Sequence, residues 1–516
     1  MRSLVFAAPF VFVLGCTSPS ARDGSASERE ANSSSAQGHA GPSGPKRAAK
    51  PDEEAMARLK SLGYVADDRS AAIDRKPVAG AEVEVVAADK PASLRFGDSA
   101  TPRELAPIFP GTIYDASIPT PDSALRQPLG TFTAHHAEIL AYVKSLERPG
   151  SRLRWTKTGV THEGRELGYA VIASKENLAR LDAIRVAIAK LADPRTTNDE
   201  EAERIAKDFP AIAWLSYSIH GDEMSGSDAS MAVAYHLVAG TSADVTDLLK
   251  DVVVVIDPSQ NPDGRERILS MLEQSAGYVP NLDSDSMSRG RWPHGRGNHY
   301  LFDMSRDWIW GTQPETRARW SAIQSFHPQL LVDAHELGAS DTFLFYPATD
   351  PLTPFFPAQT TKWWPRFGND QAAAFDARGW SYYTREWADS WYPGYTDSWA
   401  TFSGAVGILY EQARYHGQAV RRPSGEIATY RDAVARQATG SLANVATLAK
   451  HKVEILRDYY AAKKANVAAD TAGNDRMFVL ARGKHPEREA AFVAMLAAQG
   501  IEVFETKDAF TAKDVE

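Results

Sequence analysis

Five short apolar runs alternate with helical stretches through the middle of the chain. They are "AIAWLSYSIH" (211–220), "DVVVVIDPSQNPDG" (251–264), "NHYLFDM" (298–304), "LLVDAHE" (330–336) and "GAVGILYEQA" (404–413). Runs of this kind, rich in β-branched residues and separated by helices, are typical of a largely parallel sheet that is buried on both faces. The pattern predicts an α/β fold with a mixed, largely parallel central sheet and helices on both faces.

Further elements are predicted before and after these runs. Residues 133–148 carry apolar side chains at helical spacing, and residues 152–174 read as two strands around the turn "HEG". Beyond about residue 470, "RMFVLARG", "HPEREAAFVAMLAAQG" and "IEVFE" predict a strand, a helix and a second strand. Residues 470–516 therefore form a small C-terminal βαβ unit, which either packs on the main domain or begins a larger one.

The first 16 residues have the pattern of an export signal. "MRSLVFAAPFVFVLGC" has one arginine, then an apolar run too short to span a bilayer, and it ends at Cys16. "VLGC" resembles the lipobox of bacterial lipoproteins, which implies cleavage before Cys16, lipid attachment to it, and an exported protein of the bacterial cell envelope. The alternative is an ordinary secretion signal with an incidental cysteine.

Composition divides the rest of the chain. Residues 17–50 lack Val, Ile, Leu, Met and aromatic residues, which is typical of a flexible tether. Residues 51–124 carry few strong elements and are predicted to be a poorly structured extension, and residues 125–465 form the main domain. The 516 residues are 43% hydrophobic and 24% charged, as in ordinary soluble proteins, and the net charge of -9 argues against nucleic-acid binding. Cys16 is the only cysteine, which excludes a disulfide within the chain.

Polar residues stand at the ends of the five runs, where ligands bind in open α/β sheets. His220 ends the first run, Glu223 follows it after a tight turn, and His335 lies at the end of the fourth. Two histidines and one glutamate are a common catalytic zinc set that leaves a fourth position for water. Asn261 and Asp263 follow the second run and are interpreted as turn-forming residues.

The ordered set of "HGDE", "NPDG", "FDMSRDW", the strand-end His335 and "GILYEQA" resembles the zinc metallocarboxypeptidase family, and "HEGRELGYAVI" resembles its early strand pair. The resemblance covers about residues 125–465. It implies that His220, Glu223 and His335 hold one zinc ion and that Glu411 is a general base acting on zinc-bound water. Zinc lowers the pKa of its bound water to about 7, so a neighbouring carboxylate can take the proton.

The same resemblance gives roles to "FDMSRDW" and to two loops. Asp303 matches an aspartate that accepts a hydrogen bond from a zinc-bound imidazole, and Arg306 matches the arginine that binds the terminal carboxylate of the substrate. Ser305 stands where the family usually has an asparagine that shares this carboxylate, so selection for a free C-terminus stays open. Arg296 is favoured among three loop arginines as the oxyanion ligand, and Tyr395, ahead of Tyr392, matches a substrate-covering tyrosine.

These features predict a zinc metallopeptidase that hydrolyses an amide bond at or near a peptide C-terminus. Its partners are a peptide substrate and the membrane, reached through the lipid on Cys16, and the oligomeric state is left open. Two alternatives remain: a zinc amidase or deacylase acting on cell-wall peptides or acyl amino acids, and a non-catalytic lipoprotein that binds peptides at the cell surface.

Overall fold

The computed structural model describes residues 107–277, 281–471, 478–480 and 483–506. Its strands are β1 (Leu153–Val160), β2 (Glu166–Ile172), β3 (Ala211–Tyr217), β4 (Val252–Asp257), β5 (Leu330–Leu337), β6 (Phe343–Phe345), β7 (Thr349–Leu352), β8 (Asp389–Ser390), β9 (Val406–Ala413), β10 (Val420–Arg421) and β11 (Ile427–Ala428). A seven-stranded sheet has the order β1-β2-β4-β3-β5-β9-β6. Its four central strands, β4, β3, β5 and β9, are parallel, and the pairings β1–β2, β2–β4 and β6–β9 are antiparallel.

Helices connect and cover these strands. They are α1 (Pro121–Ala124), α2 (His136–Ser145), α3 (Lys175–Ala179), α4 (Leu181–Ala192), α5 (Asp199–Asp208), α6 (Ser225–Ala239), α7 (Ala243–Asp251), α8 (Pro262–Ser275), α9 (Pro314–Phe326), α10 (Ala358–Thr361), α11 (Trp364–Asp376), α12 (Thr396–Phe402), α13 (Tyr430–Lys450), α14 (Lys452–Thr471) and α15 (Pro486–Ala498). Short 3-10 turns lie at Met287–Arg289 and Met304–Arg306. Among the described residues, no helix is both long enough and apolar enough to cross a membrane.

The central strands are buried between two layers of helices. Trp214 and Tyr217 lie three positions apart on β3, so their side chains point to opposite faces of the sheet. Trp214 packs against Phe326 of α9 with ring centroids 6.0 Å apart, whereas the Tyr217 hydroxyl donates a hydrogen bond to Ser441 of α13 at 2.7 Å. Every residue of β3 and β4 is buried. The predicted α/β fold, with a mixed sheet covered on both faces, is confirmed.

One predicted strand is wrong. Residues 298–304, "NHYLFDM", form a loop that leads into a 3-10 turn. The side-chain oxygen of Asn298 accepts hydrogen bonds from the backbone N–H groups of Tyr300 and Phe302, both at 3.1 Å, and Leu301 has a positive φ of 61°. These local hydrogen bonds replace those of a strand, and the side chains of residues 300–302 are exposed instead of buried in the sheet.

The C-terminal segment contains the predicted helix, α15, but residues 478–480 and 501–506 beside it form no strand. Within the described part of the chain no neighbouring strand pairs with them, and Leu480 and Phe504 are exposed. The segment packs on the main domain, because Met495 contacts its core and the Gln324 side chain donates a hydrogen bond to the Ala498 carbonyl at 2.9 Å.

The described residues before position 125 are packed on the main domain. Residues 107–124, expected to be poorly structured, pack against the C-terminal half of α6. The Asp115 N–H donates to the Ala239 carbonyl at 2.8 Å, and the Tyr114 hydroxyl lies 3.1 Å from Nδ1 of His236. The signal segment with Cys16, the tether and residues 51–106 lie outside the described residues.

Candidate active site

A tight turn between β3 and α6 places His220 and Glu223 side by side. Directly after β3, Ser218 has a positive φ of 55°, and its hydroxyl donates to the Glu223 carbonyl at 2.5 Å. Gly221 is required in this turn, because a Cβ there would lie 2.1 Å from the backbone nitrogen of Arg265 in the first turn of α8. The backbone of the turn is thus held between the end of β3 and the beginning of α8.

Glu336 of β5 fixes the same turn from the other side. Its carboxylate accepts hydrogen bonds from the N–H groups of Met224 and Ser225, both at 3.0 Å, at the start of α6. Helix α6 has no side-chain cap from its own N-cap residue, so this carboxylate satisfies its first donors. The Glu336 N–H also donates to Oε2 of Glu223 at 3.0 Å. Glu336, the neighbour of His335, therefore has a structural role.

His335 of β5 completes a buried cluster with His220 and Glu223. One ligand atom from each of the three residues lies within 4.8 Å of the others. Nδ1 of His335 lies 3.3 Å from Nδ1 of His220 and 3.0 Å from Oε2 of Glu223, and Nδ1 of His220 lies 2.8 Å from Oε1 of Glu223. Two imidazole nitrogens and a carboxylate that converge in this way are the donor set of a catalytic zinc site.

A carboxylate orients each imidazole from its far side. Nε2 of His220 lies 2.9 Å from Oδ1 of Asp303, and Nε2 of His335 lies 2.7 Å from Oδ2 of Asp333. Because each Nε2 donates its hydrogen to a carboxylate, each Nδ1 is left to present a lone pair to the centre of the cluster. The site therefore fits zinc in its donor types and in the orientation of its donors.

Asp333 was missed by the sequence analysis, which found only Asp303. The signal was present, because residues two apart on a strand point to the same face and Asp333 lies two residues before His335.

Ser305 and Arg306 follow Asp303, but only Arg306 is exposed. The Ser305 hydroxyl is buried, donates to Oδ1 of Asp303 at 2.8 Å and lies 3.0 Å from Nε2 of His220. The same hydroxyl accepts a hydrogen bond from Nη1 of Arg306, so Ser305 helps to orient both His220 and Arg306. Its predicted contact with substrate stays a prediction. The Arg306 guanidinium stacks on the ring of Tyr395 at 4.5 Å, so the two predicted substrate-binding residues lie together.

Arg296 lies at the open side of the cluster. Its Nε and Nη2 donate to Oδ2 of Asp303 at 3.1 Å and 2.9 Å, and its Nη1 lies 3.2 Å from Nδ1 of His220. The side-chain amide of Asn261, which also caps α8, donates to the Arg296 carbonyl at 3.0 Å. The "NPDG" turn thus holds the arginine loop beside the candidate metal site, as its turn chemistry indicated.

Glu411 of β9 is the register partner of His335 across the parallel pair β5–β9. It is half-buried, and among the described residues no group forms a hydrogen bond with its Oε2. Burial raises the pKa of Glu411 to about 7 against the opposing charge of His335, and the Glu223 carboxylate adds to the rise. A carboxylate without a partner on this atom, next to the ligand cluster, is suited to accept and donate protons.

Residues 139–335 match the family model of zinc carboxypeptidase, Peptidase_M14. Over these residues the chain is similar to the zinc carboxypeptidase family. The match includes the three candidate zinc ligands and Arg306, and it ends at His335, so the roles of Tyr395 and Glu411 rest on the structure of the site.

Solved carboxypeptidases are similar to this chain at low identity. A metallo-carboxypeptidase from Burkholderia cenocepacia is 17% identical over 61% of this chain and 68% of its own, with a TM-score of 0.40. Carboxypeptidase A from Helicoverpa armigera is 18% identical over 67% of this chain and 77% of its own, with a TM-score of 0.39. No curated protein matches the chain significantly.

The candidate metal site contains a second arginine that the sequence analysis did not find. Nη2 of Arg414 donates to Oε1 of Glu223 at 3.1 Å and to the Glu336 carbonyl at 3.0 Å, and Nη1 lies 3.4 Å from Oδ2 of Asp222. Arg414 follows the last residue of β9, and only the packing of β9 beside β5 brings it to this carboxylate group.

Proposed function

We propose that this protein is a metallocarboxypeptidase that hydrolyses the amide bond next to the C-terminus of a peptide, with Glu411 as general base. The observation that carries the proposal is the placement of Glu411 directly opposite His335 on the neighbouring strand. This register supports a role for Glu411 as a base beside the ligand cluster.

Three side chains would hold one zinc ion: His220, Glu223 and His335. When bound, zinc supplies Lewis-acid chemistry, polarising a carbonyl oxygen and acidifying water. Asp303 and Asp333 keep the imidazoles in the required tautomer and orientation.

Glu411 accepts a proton from the attacking water and returns it to the amine nitrogen that leaves. Its raised pKa, about 7, suits both halves of this transfer near neutral pH. Arg296, exposed beside the ligand cluster, donates N–H groups toward the oxyanion that develops on the scissile carbonyl.

The exposed Arg306 guanidinium binds the terminal carboxylate of the peptide through paired N–H donors. Tyr395, stacked on Arg306, covers the same end of the substrate. With Ser305 buried, Arg306 alone supplies the charge that selects a free C-terminus.

Export and membrane attachment complete the proposal. The apolar N-terminal segment that ends in "VLGC" supports a lipid anchor on Cys16, and the composition of residues 17–50 supports a tether between anchor and enzyme. The enzyme would then act on peptides in the bacterial cell envelope.

A pair of peptides with one sequence, one with a free C-terminus and one amidated, tests the proposal. With zinc-loaded protein we expect mass spectrometry to show loss of the C-terminal residue from the free peptide only. Arg306→Gln should remove most of this preference. Equal cleavage of both peptides would instead indicate an amidase or endopeptidase, and no cleavage would indicate a peptide-binding lipoprotein.

Glu411→Gln tests the role of the base. We expect kcat to fall by about 10²- to 10⁴-fold, because the amide cannot transfer the proton, while the protein keeps one zinc ion per chain. The kcat/KM of the unmodified enzyme should also decline as pH falls below about 7, since the protonated carboxyl cannot accept a proton. Loss of zinc from the variant would show that Glu411 is a ligand.

A further inference from the structure

The C-terminal segment reaches the substrate-binding edge of the enzyme through one residue, Gln499. Helix α15 ends there, and Gly500 adopts a positive φ of 82° that turns the chain away from the helix axis. Helix α15 itself has no buried residue, so the helix contributes little to the core. The contact is concentrated at the end of the helix.

The amide nitrogen and the amide oxygen of the Gln499 side chain both form hydrogen bonds. Its Nε2 donates to the carbonyls of Trp308 at 3.0 Å and Ile309 at 2.9 Å, and its Oε1 accepts a hydrogen bond from the Trp399 indole at 2.7 Å. Two carbonyls and one N–H match the two donors and the acceptor of a primary amide. No charged side chain or hydroxyl offers this combination.

Both elements that Gln499 joins carry proposed substrate-binding residues. Trp308 and Ile309 follow Arg306 in the chain, and Trp399 belongs to α12, which begins directly after Tyr395. The two tryptophan rings contact each other with centroids 5.2 Å apart and planes tilted by 44°.

Two further hydrogen bonds connect the Arg306 segment with the residues just before Tyr395. The Trp308 N–H donates to the Gly394 carbonyl at 3.1 Å, and the Tyr392 hydroxyl donates to the Arg306 carbonyl at 3.1 Å. The hydrogen bonds of Gln499 therefore add to those that already join the Arg306 segment to the Tyr395 segment.

We propose that Gln499 is a positioning residue, which holds the Arg306 segment and α12 together in the arrangement that binds a peptide C-terminus. The inference rests on the proposed substrate role of Arg306. It makes the C-terminal segment part of the substrate-binding edge, although the candidate zinc ligands and Glu411 lie elsewhere in the chain.

Gln499→Met in the full chain removes the hydrogen bonds and keeps the length of the side chain. For a peptide with a free C-terminus we expect KM to rise about tenfold, with kcat and zinc content nearly unchanged, because Arg306 binds the carboxylate away from the reacting atoms. Hydrogen exchange should become faster in residues 304–310 and 392–400. Glu502→Gln is the matched control, because it breaks the 3.3 Å ion pair between the same segment and Arg195 on the surface.

Equal KM values and equal exchange in the Gln499→Met variant and the unmodified enzyme would overturn the inference. An equal rise in KM and equally fast exchange in Glu502→Gln would also overturn it, because any weakening of the contacts of the C-terminal segment would then raise KM. Faster exchange in a protein that cleaves no peptide would refute the proposed function and still establish that Gln499 holds the two segments. A lower melting temperature with unchanged exchange in both regions would show a merely structural role and overturn the inference.

Discussion

At the scale of single residues, the carboxylates behind the two imidazoles orient the candidate metal ligands. Asp303 accepts a hydrogen bond from Nε2 of His220, and Asp333 accepts one from Nε2 of His335. Both Nδ1 atoms therefore face the third ligand, Glu223. Burial by itself would raise the pKa of Asp303, but the His220 hydrogen bond and the nearby arginines hold this pKa below its usual range. Asp303 thus stays an acceptor for its histidine.

Asp333→Asn tests the orientation of His335. The amide is a weaker acceptor and can present its N–H group to the ring, so His335 loses its fixed tautomer. We expect zinc affinity, measured by competition with a chelator, to fall about 10- to 100-fold with the fold intact. The exposed Asp350 offers a matched control, Asp350→Asn, which should leave the affinity unchanged. An unchanged affinity in Asp333→Asn would mean that β5 alone orients the ring.

The turn between β3 and α6 is the element on which the metal site depends most. Two neighbours determine its geometry: the first turn of α8, which approaches Gly221, and the Glu336 carboxylate of β5.

Residues 298–304 show how a short element can differ from its hydrophobic pattern. Their apolar residues predicted a strand, but the segment is a loop, because the Asn298 side chain accepts hydrogen bonds from nearby backbone N–H groups. Local polar groups decide such short elements as much as hydrophobic pattern does.

Gly221→Ala tests the close approach in this turn. A Cβ would lie 2.1 Å from the Arg265 nitrogen and 2.3 Å from the Gly264 carbonyl carbon, and neither backbone atom can move without shifting α8. We expect the free energy of unfolding to drop by about 2 kcal/mol or more and zinc binding to weaken. Gly338→Ala, where a Cβ meets nothing within 4 Å, should change neither quantity. Wild-type stability of Gly221→Ala in urea would contradict this packing.

At the scale of the whole molecule, zinc binding is expected to stabilise the fold. The three candidate ligands come from the β3–α6 turn and from β5, so the ion can bind them together only in the native sheet. We expect free zinc at about 100 times Kd to add about 2.7 kcal/mol to the free energy of unfolding, and a chelator to remove it. Calorimetry should show the same gain for Glu411→Gln and little gain for His335→Gln. A full gain in His335→Gln would mean that the ion binds elsewhere.

The sequence by itself predicted the four central parallel strands and identified His220, Glu223, His335 and Glu411 as candidate site residues, and the export signal stays a prediction. This was possible because apolar runs mark buried parallel strands, and the carboxyl ends of such strands lie at one edge of the sheet. Tertiary structure decided which side chains surround those residues. Arg414, after the end of β9, contacts Glu223, and Gln499, at the end of α15, contacts the segments that carry Arg306 and Tyr395. No local sequence pattern predicts these contacts. Contacts of this kind depend on how elements pack, so only the folded chain shows them.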